Sequence, residues 1–369
     1  MAISHLTVLS LVLPISAFAV SAALTVLVRR IAVRVGFCAY PSQDRYHQRV
    51  VAMGGGMAIF WTMALFILAG VAVIHWVIAD DKFSFFDKSI VIYIEGFLNK
   101  TDDLLLVMAC AAALHLMGLW DDARRLGPYI KLAVQFSVAG VAVVFADIRV
   151  EMFIQNKVIT TILSVLWIVG IINVFNFLDN MDGLSSGMAI IVVGTLLTAA
   201  IGSGQIFITG LGLLFLGAVA GFWVWNFPPA KIFMGDCGSL VIGFFVATLT
   251  LRTTYYQQAE GGGLYAVFMP LLVLAVPLYD FASVTFLRIK QGKSPFVGDT
   301  QHFSHRLRKR GLSDTQVAMT LYLATLCTGL GAVILRYVNL VGAILIFTQT
   351  IMVLCIIAIL ETTGHKNND

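Results

Sequence analysis

Residues 159–183 read ITTILSVLWIVGIINVFNFLDNMDG, and this stretch decides the fold. It carries no charge before Asp179, and its apolar part approaches the ~20 residues with which a helix crosses a hydrocarbon layer. Near its end Asn173, Asn176, Asp179 and Asp182 recur at every third position. Consecutive members of such a series are neighbours on one helix face. Gly183 can then end the helix in a left-handed turn. Two amides and two acids in one register make a ladder of oxygen ligands that suits a hard cation such as Mg²⁺. A polar helix end packed on other helices is the alternative, and it accounts for the register less well.

The rest of the chain repeats this pattern. Of 369 residues, 59% are hydrophobic and 12% charged, with a mean hydropathy of +0.91. A soluble domain carries about 25% charged residues, so the composition excludes a soluble globular protein. Comparable stretches lie at 6–28, 51–74, 103–120, 129–146, 159–177, 186–203, 206–226, 238–252, 264–287, 316–336 and 339–360. They predict one all-α, polytopic transmembrane bundle of ten or eleven spans over residues 1–369. The net charge of +4 decides little, and no nucleic-acid partner is indicated. Cys38, Cys110, Cys237, Cys327 and Cys355 are scattered, with no CxxC pair, so neither a disulfide framework nor a zinc site is predicted.

Orientation follows from the basic residues. Loops 29–50, 121–131, 177–186, 226–237 and 288–315 and the C-terminus hold 17 of the 24 Lys and Arg residues. Excess Lys and Arg marks the cytoplasmic side. The N-terminus is therefore expected outside, the C-terminus in the cytoplasm, and loop 75–102 outside. Arg29, Arg30 and Arg34 follow the first apolar run instead of preceding it, which is the order of a first span and not of a cleaved signal.

The acids gather on the same side. A carboxylate at the bilayer centre costs roughly 2.5 to 3.5 kcal/mol on insertion scales, so this placement suggests a shared cation and an anionic substrate. Asp121 and Asp122 end the third span; adjacent helical residues point about 100° apart, so they cannot both face one atom. An interfacial cap balanced by Arg124 and Arg125 weighs equally there. Lys131 adds a cation able to meet phosphate. Asp236, between Gly235 and Gly238, opens the eighth span, where it is either an N-cap or part of an anion site at a helix N-terminus. Asn226 with Pro228 and Pro229 forms a rigid loop before it. In the basic loop after the ninth span, Arg308, Lys309 and Arg310 read as contacts for lipid headgroups. His302, His305 and Arg306 would share one face of a helix and could bind phosphates. His47, in a loop before Gly54-Gly55-Gly56, stays undecided on its own.

Taken together these motifs resemble the polyprenyl-phosphate N-acetylhexosamine-1-phosphate transferases. The resemblance rests on the 41–56 loop, GLxDD at 118–122 with Lys131, NxxNFxDxxDGL at 173–184, NxPPAxxFMGDxGS at 226–239 and SPFxxDxxHxxHRL at 294–307. It implies Mg²⁺-dependent attack of undecaprenyl phosphate on a UDP-amino sugar with release of UMP, Mn²⁺ being a substitute metal. Such a step initiates cell-envelope polysaccharide or teichoic-acid-type glycans at the bacterial cytoplasmic membrane, with the site facing the cytoplasm. By matching position, Asp236 is the metal ligand, with Asn176 near the diphosphate. Asp121 and Asp122 manage the lipid phosphate, and Asp179 and Asp182 line the cleft. Lys131 binds phosphate, Asn226 lies near the uracil, and His302, His305, Arg306 and His47 serve substrate binding. The family's loop usually reads HxHHR, whereas Ser304 stands at its middle position here. The open loop points to the GlcNAc-1-phosphate branch, with the phospho-MurNAc-pentapeptide branch as the alternative. A homodimer is compatible with this reading. A transporter would place its polar groups near the midplane, and an aspartyl protease built on Asp280 and Asp236 would leave the 173–182 ladder unexplained.

Overall fold

The computed structural model describes residues 5–40, 49–79, 96–150, 154–255, 263–292 and 302–362. Every apolar stretch becomes helical. The helices are α1 His5–Val35, α2 Gly56–Ala79, α3 Thr101–Ala123, α4 Pro128–Phe145, α5 Lys157–Leu178, α6 Leu184–Gly202 and α7 Ile206–Asn226. They continue as α8 Asp236–Arg252, α9 Met269–Val273, α10 Ala275–Lys290, α11 Phe303–Lys309, α12 Asp314–Ile334 and α13 Leu340–Thr362. Local signals set several ends. Pro128 opens α4 where no N–H is needed. Asn156 caps α5, and Ser313 with Gln316 forms a capping box on α12.

Among the described residues nine helices are long and apolar enough to cross a membrane. The helix pair Leu264–Val273 and Ala275–Lys290, bent by 61°, is long and apolar enough when taken as a unit. The remaining stretch expected as a span is 238–252. That stretch is α8, only 17 residues long and buried on all sides from Cys237 to Thr250. A helix apolar all round belongs in a core, and α8 is the axis on which α2, α3, α5 and α6 pack. Large apolar side chains such as Ile15, Trp61, Leu116 and Leu345 are exposed on the outer helices, as a lipid-facing belt requires. α1 lies along α7, with small residues at the contact: Gly217 meets Pro14 and Gly221 meets Phe18. There Ser21 Oγ donates to the Ala218 carbonyl at 2.5 Å. Close approach through small residues is the usual way helices associate in lipid.

One small sheet ties two loops together. β1 (Cys38–Ala39) pairs antiparallel with β2 (Val51–Ala52), and Ala52 bridges to Ile232 in parallel. Phe233 N–H donates to the Ala52 carbonyl at 2.8 Å, and Gly55 and Gly56 donate to the carbonyls of Phe233 and Met234, each at 2.9 Å. The loop before α2 and the loop before α8 thus form one layer at the end of the bundle where α3, α5 and α7 finish.

Candidate active site

Asp236 is the centre of the site. It occupies the first turn of α8, and three other helix ends converge on it. Lys131, near the start of α4, places Nζ 2.7 Å from Asp236 Oδ2 and 2.5 Å from Asp121 Oδ2. Asn176, in the last turn of α5, donates from Nδ2 to Asp236 Oδ1 at 2.9 Å and to Ser239 Oγ at 3.0 Å. Asp122, at the end of α3, accepts from the backbone N–H groups of Asp236 at 2.9 Å and Cys237 at 3.2 Å. It therefore caps α8 from another helix, completing the orphan N–H groups that α8 cannot satisfy itself. Asp121 turns the other way and accepts from Leu126 N–H at 2.6 Å. The two neighbouring acids divide their work as the 100° helical step requires.

Two glycines make this approach geometrically feasible. A Cβ at Gly118 would lie 2.4 Å from Cys237 N, so α3 could not reach the start of α8 with any larger residue. Gly235 has φ +76°, and a Cβ there would lie 2.4 Å from Asp122 Oδ2. The glycines of the GLxDD and GDxGS motifs serve the same contact from opposite sides.

The ladder of residues 173–182 does not persist as one face. α5 ends at Leu178, so Asp179 is its C-cap and Asp182 lies beyond the helix. Asn173 faces α4, donating to Gln135 Oε1 at 2.7 Å, and takes no part in the acid cluster. Asp179 remains in it: burial, with the Asp236 and Asp122 carboxylates nearby, pushes its carboxyl well above the usual range. Asp182 accepts from Ala230 N–H at 2.8 Å and fixes the loop after α7. Gly183 adopts the expected left-handed conformation at φ 71°.

Asn226 is 2% exposed. Its Oδ1 accepts from Gly183 N–H and from Ser186 Oγ, both at 3.1 Å, and its Nδ2 donates to the Ile232 carbonyl at 2.9 Å. It pins the turn at Gly183 to the loop before α8, so its amide faces protein groups.

The basic loop folds as the short helix α11. Asp280 on α10 accepts from Phe303 N–H at 2.8 Å and contacts His302 Nδ1 at 3.2 Å. His302 also packs edge-on against Phe177, with centroids 5.5 Å apart. Ser304 Oγ donates to Asn180 Oδ1 at 2.6 Å, one residue past Asp179. His305 is buried, and burial with the neighbouring His302 and Arg308 lowers it to a pKa of about 4. Arg306 contacts Glu361 at 3.0 Å and Ser283 at 2.9 Å. Sequence reasoning missed the capping role of Asp280 and the burial of Arg288, which is 1% exposed over the Phe177 ring. An acid twenty-odd residues before the histidines was the only signal available for the first. His47 lies outside the described residues.

The donor chemistry fits a divalent cation. Lys131 bridges Asp121 and Asp236, and the Asp122 and Asp179 carboxyls lie near Asp236. Among the described residues no three His, Cys, Asp or Glu side chains already converge as a complete metal set. A cavity of about 740 Å³ lies at the opposite end of α5 and α8, beside Trp167 and Arg252. Its cations are already paired, Lys100 and Arg252 with Asp103 at 3.4 and 3.7 Å and Arg149 with Asp147.

Fold and site together define a multi-pass membrane enzyme whose acidic centre is assembled from the ends of separate helices. The profile of glycosyl transferase family 4 matches residues 104–254, the segment from α3 to α8 that carries this centre. It is 29% identical over 352 residues to a probable undecaprenyl-phosphate N-acetylglucosaminyl 1-phosphate transferase of Bacillus subtilis, covering 93% of this chain and 89% of that protein. It is 29% identical over 320 residues to a decaprenyl-phosphate N-acetylglucosaminephosphotransferase of Mycobacterium tuberculosis, covering 80% and 75%. An undecaprenyl-phosphate alpha-N-acetylglucosaminyl 1-phosphate transferase of Yersinia pestis is 25% identical over 344 residues, covering 89% and 83%.

Proposed function

We propose that this protein transfers N-acetylglucosamine-1-phosphate from UDP-N-acetylglucosamine to undecaprenyl phosphate. One observation carries the reading. Asp236 sits among Lys131, Asn176 and the Asp122-capped start of α8, at the end of a membrane bundle. A lipid-borne phosphate and a water-borne nucleotide can meet only at such a level. The names of relatives that align along most of the chain support the same donor and acceptor.

In the reaction an acceptor phosphate oxygen attacks the sugar-bearing phosphorus. The bond from that phosphorus to the bridging oxygen breaks, and UMP leaves with the electron pair. Phosphoryl transfer of this kind depends on positioning and charge neutralisation. Lys131 supplies a positive charge for phosphate oxygens and is held in place by Asp121 and Asp236. Asp179, with its carboxyl raised, is suited to hold and pass a proton of the acceptor phosphate. Asp122 and Asn176 fix the turn that bears Asp236. Mg²⁺, held by Asp236 with Asn176 beside it, would neutralise the diphosphate charge when bound. Asn226 and Asp182 shape the loop that walls the cleft, and His302 with His305 forms its other wall.

The site faces the cytoplasm in this reading, since the loops that build it hold most of the Lys and Arg. Cysteine-accessibility labelling in intact cells should find a cysteine placed in loop 75–102 reactive and one in loop 288–315 protected. Reactivity of both from outside would overturn the orientation. The activity itself is tested by UMP release from membranes supplied with undecaprenyl phosphate, Mg²⁺ and a panel of UDP-sugars. Release from UDP-GlcNAc is the expected result. Turnover of the UDP-MurNAc-pentapeptide alone would move the enzyme to the other branch, and no UMP from any donor would refute the reaction.

A further inference from the structure

α11 has seven residues, Phe303–Lys309, too few to hold a helix by itself. Its contacts fall on two sides. Ser304 reaches Asn180 at 2.6 Å, in the turn that carries Asp179. Arg306, two residues on, lies about 200° around the helix. Its Nη1 is 3.0 Å from Glu361 Oε2 and its Nη2 donates to Ser283 Oγ at 2.9 Å. Arg310, one turn further, donates to the Glu361 backbone carbonyl. Glu361 ends the C-terminal helix α13, and its side chain is only 4% exposed against 20% for Arg306. A carboxylate so buried needs a cationic partner. A guanidinium that served as a phosphate ligand would instead face the acid cluster, on the side where Ser304 lies.

We propose that Arg306 and Glu361 form a clasp through which the C-terminal helix holds the histidine-bearing helix against the turn of Asp179, making both positioning residues for the transfer. The inference rests on the reaction assigned above and replaces a direct phosphate contact by Arg306. It follows that the last turn of α13, far from the family-matched segment in sequence, sets the geometry of the donor site.

A double-mutant cycle on the full-length protein in detergent decides the matter. Arg306→Gln, Glu361→Gln and the double variant are assayed for kcat and donor KM with UDP-GlcNAc and undecaprenyl phosphate, per folded molecule. The clasp predicts that each single variant loses kcat by a similar factor, on the order of 100-fold for a displaced site element. The double variant should be no worse than either single one, with donor KM little changed. The charge-exchanged pair Arg306→Glu with Glu361→Arg should recover much of the loss. A large rise in donor KM for Arg306→Gln, with Glu361→Gln near wild type, would make Arg306 a phosphate ligand and overturn the clasp. Less folded protein with unchanged kcat/KM per folded molecule would also overturn it, leaving a purely structural tie. Failure of the reaction assignment looks different, because wild-type protein would then be inert with these substrates.

Discussion

Asp122 offers the sharpest test of how the site is built. Both its carboxylate oxygens accept backbone N–H groups at the start of α8, from Asp236 at 2.9 Å and Cys237 at 3.2 Å. α8 has no side-chain cap of its own. Asp122→Ala therefore orphans two N–H groups at a packed helix end. An unsatisfied buried donor costs about 1–3 kcal/mol, and losing an N-cap typically costs about 1 kcal/mol. Asp122 is half-buried, so water offsets part of this, and a net loss of about 2 kcal/mol is expected. In a large domain that lowers the melting temperature by roughly 4 °C or slightly more. Asp122→Asn keeps an acceptor for one N–H and should lose less. Both variants are compared by intrinsic fluorescence melting in detergent, alongside turnover at graded Mg²⁺. The Ala variant should melt lower and need more Mg²⁺, because the turn bearing Asp236 is loosened. An Ala variant that melts with wild type would refute the capping argument. An Asn variant of native stability and no activity would show that Asp122 acts in the chemistry itself.

Three further outcomes are expected. Asp236→Asn should leave the protein folded yet lower turnover by orders of magnitude, and near-normal rates at saturating Mg²⁺ would remove Asp236 from the metal. His305 has a folded pKa of about 4 against an ordinary 6.5, so the unfolded chain binds its proton first as pH falls. Its contribution is complete above about pH 6.5 and is lost progressively toward pH 4, by up to about 3 kcal/mol; melting curves of wild type and His305→Gln at pH 7 and pH 5 should diverge accordingly, and parallel curves would count against it. Ser304→Ala loses only the bond to Asn180 and should cost kcat/KM less than Arg306→Ala does; the reverse order would give the hydroxyl a role assigned here to its neighbour.

Much of this molecule is legible without its structure because hydrophobicity and helical period act locally. The apolar stretches predict the helices, and the distribution of Lys and Arg predicts which loops share a side. The 100° step between Asp121 and Asp122 already requires them to face different partners, as they do. The spacing of Asn173, Asn176, Asp179 and Asp182 misleads for the opposite reason: it assumes that the helix continues, whereas α5 stops at Leu178. Asn173 is then drawn to Gln135, a partner visible only once α4 lies beside α5.

The sequence alone therefore determines a multi-pass helical membrane enzyme with its acids at helix ends, since burial and periodicity are read within a turn or a span. Only the tertiary structure decides which acid does what. Asp236 meets Asn176 across 60 residues, Lys131 across 105 and the Asp122 carboxylate across 114. No local propensity specifies such pairings. They are settled by the close packing of α3 on α8, which a glycine at 118 permits, and by the need of buried N–H groups and carboxylates to find partners where water is absent.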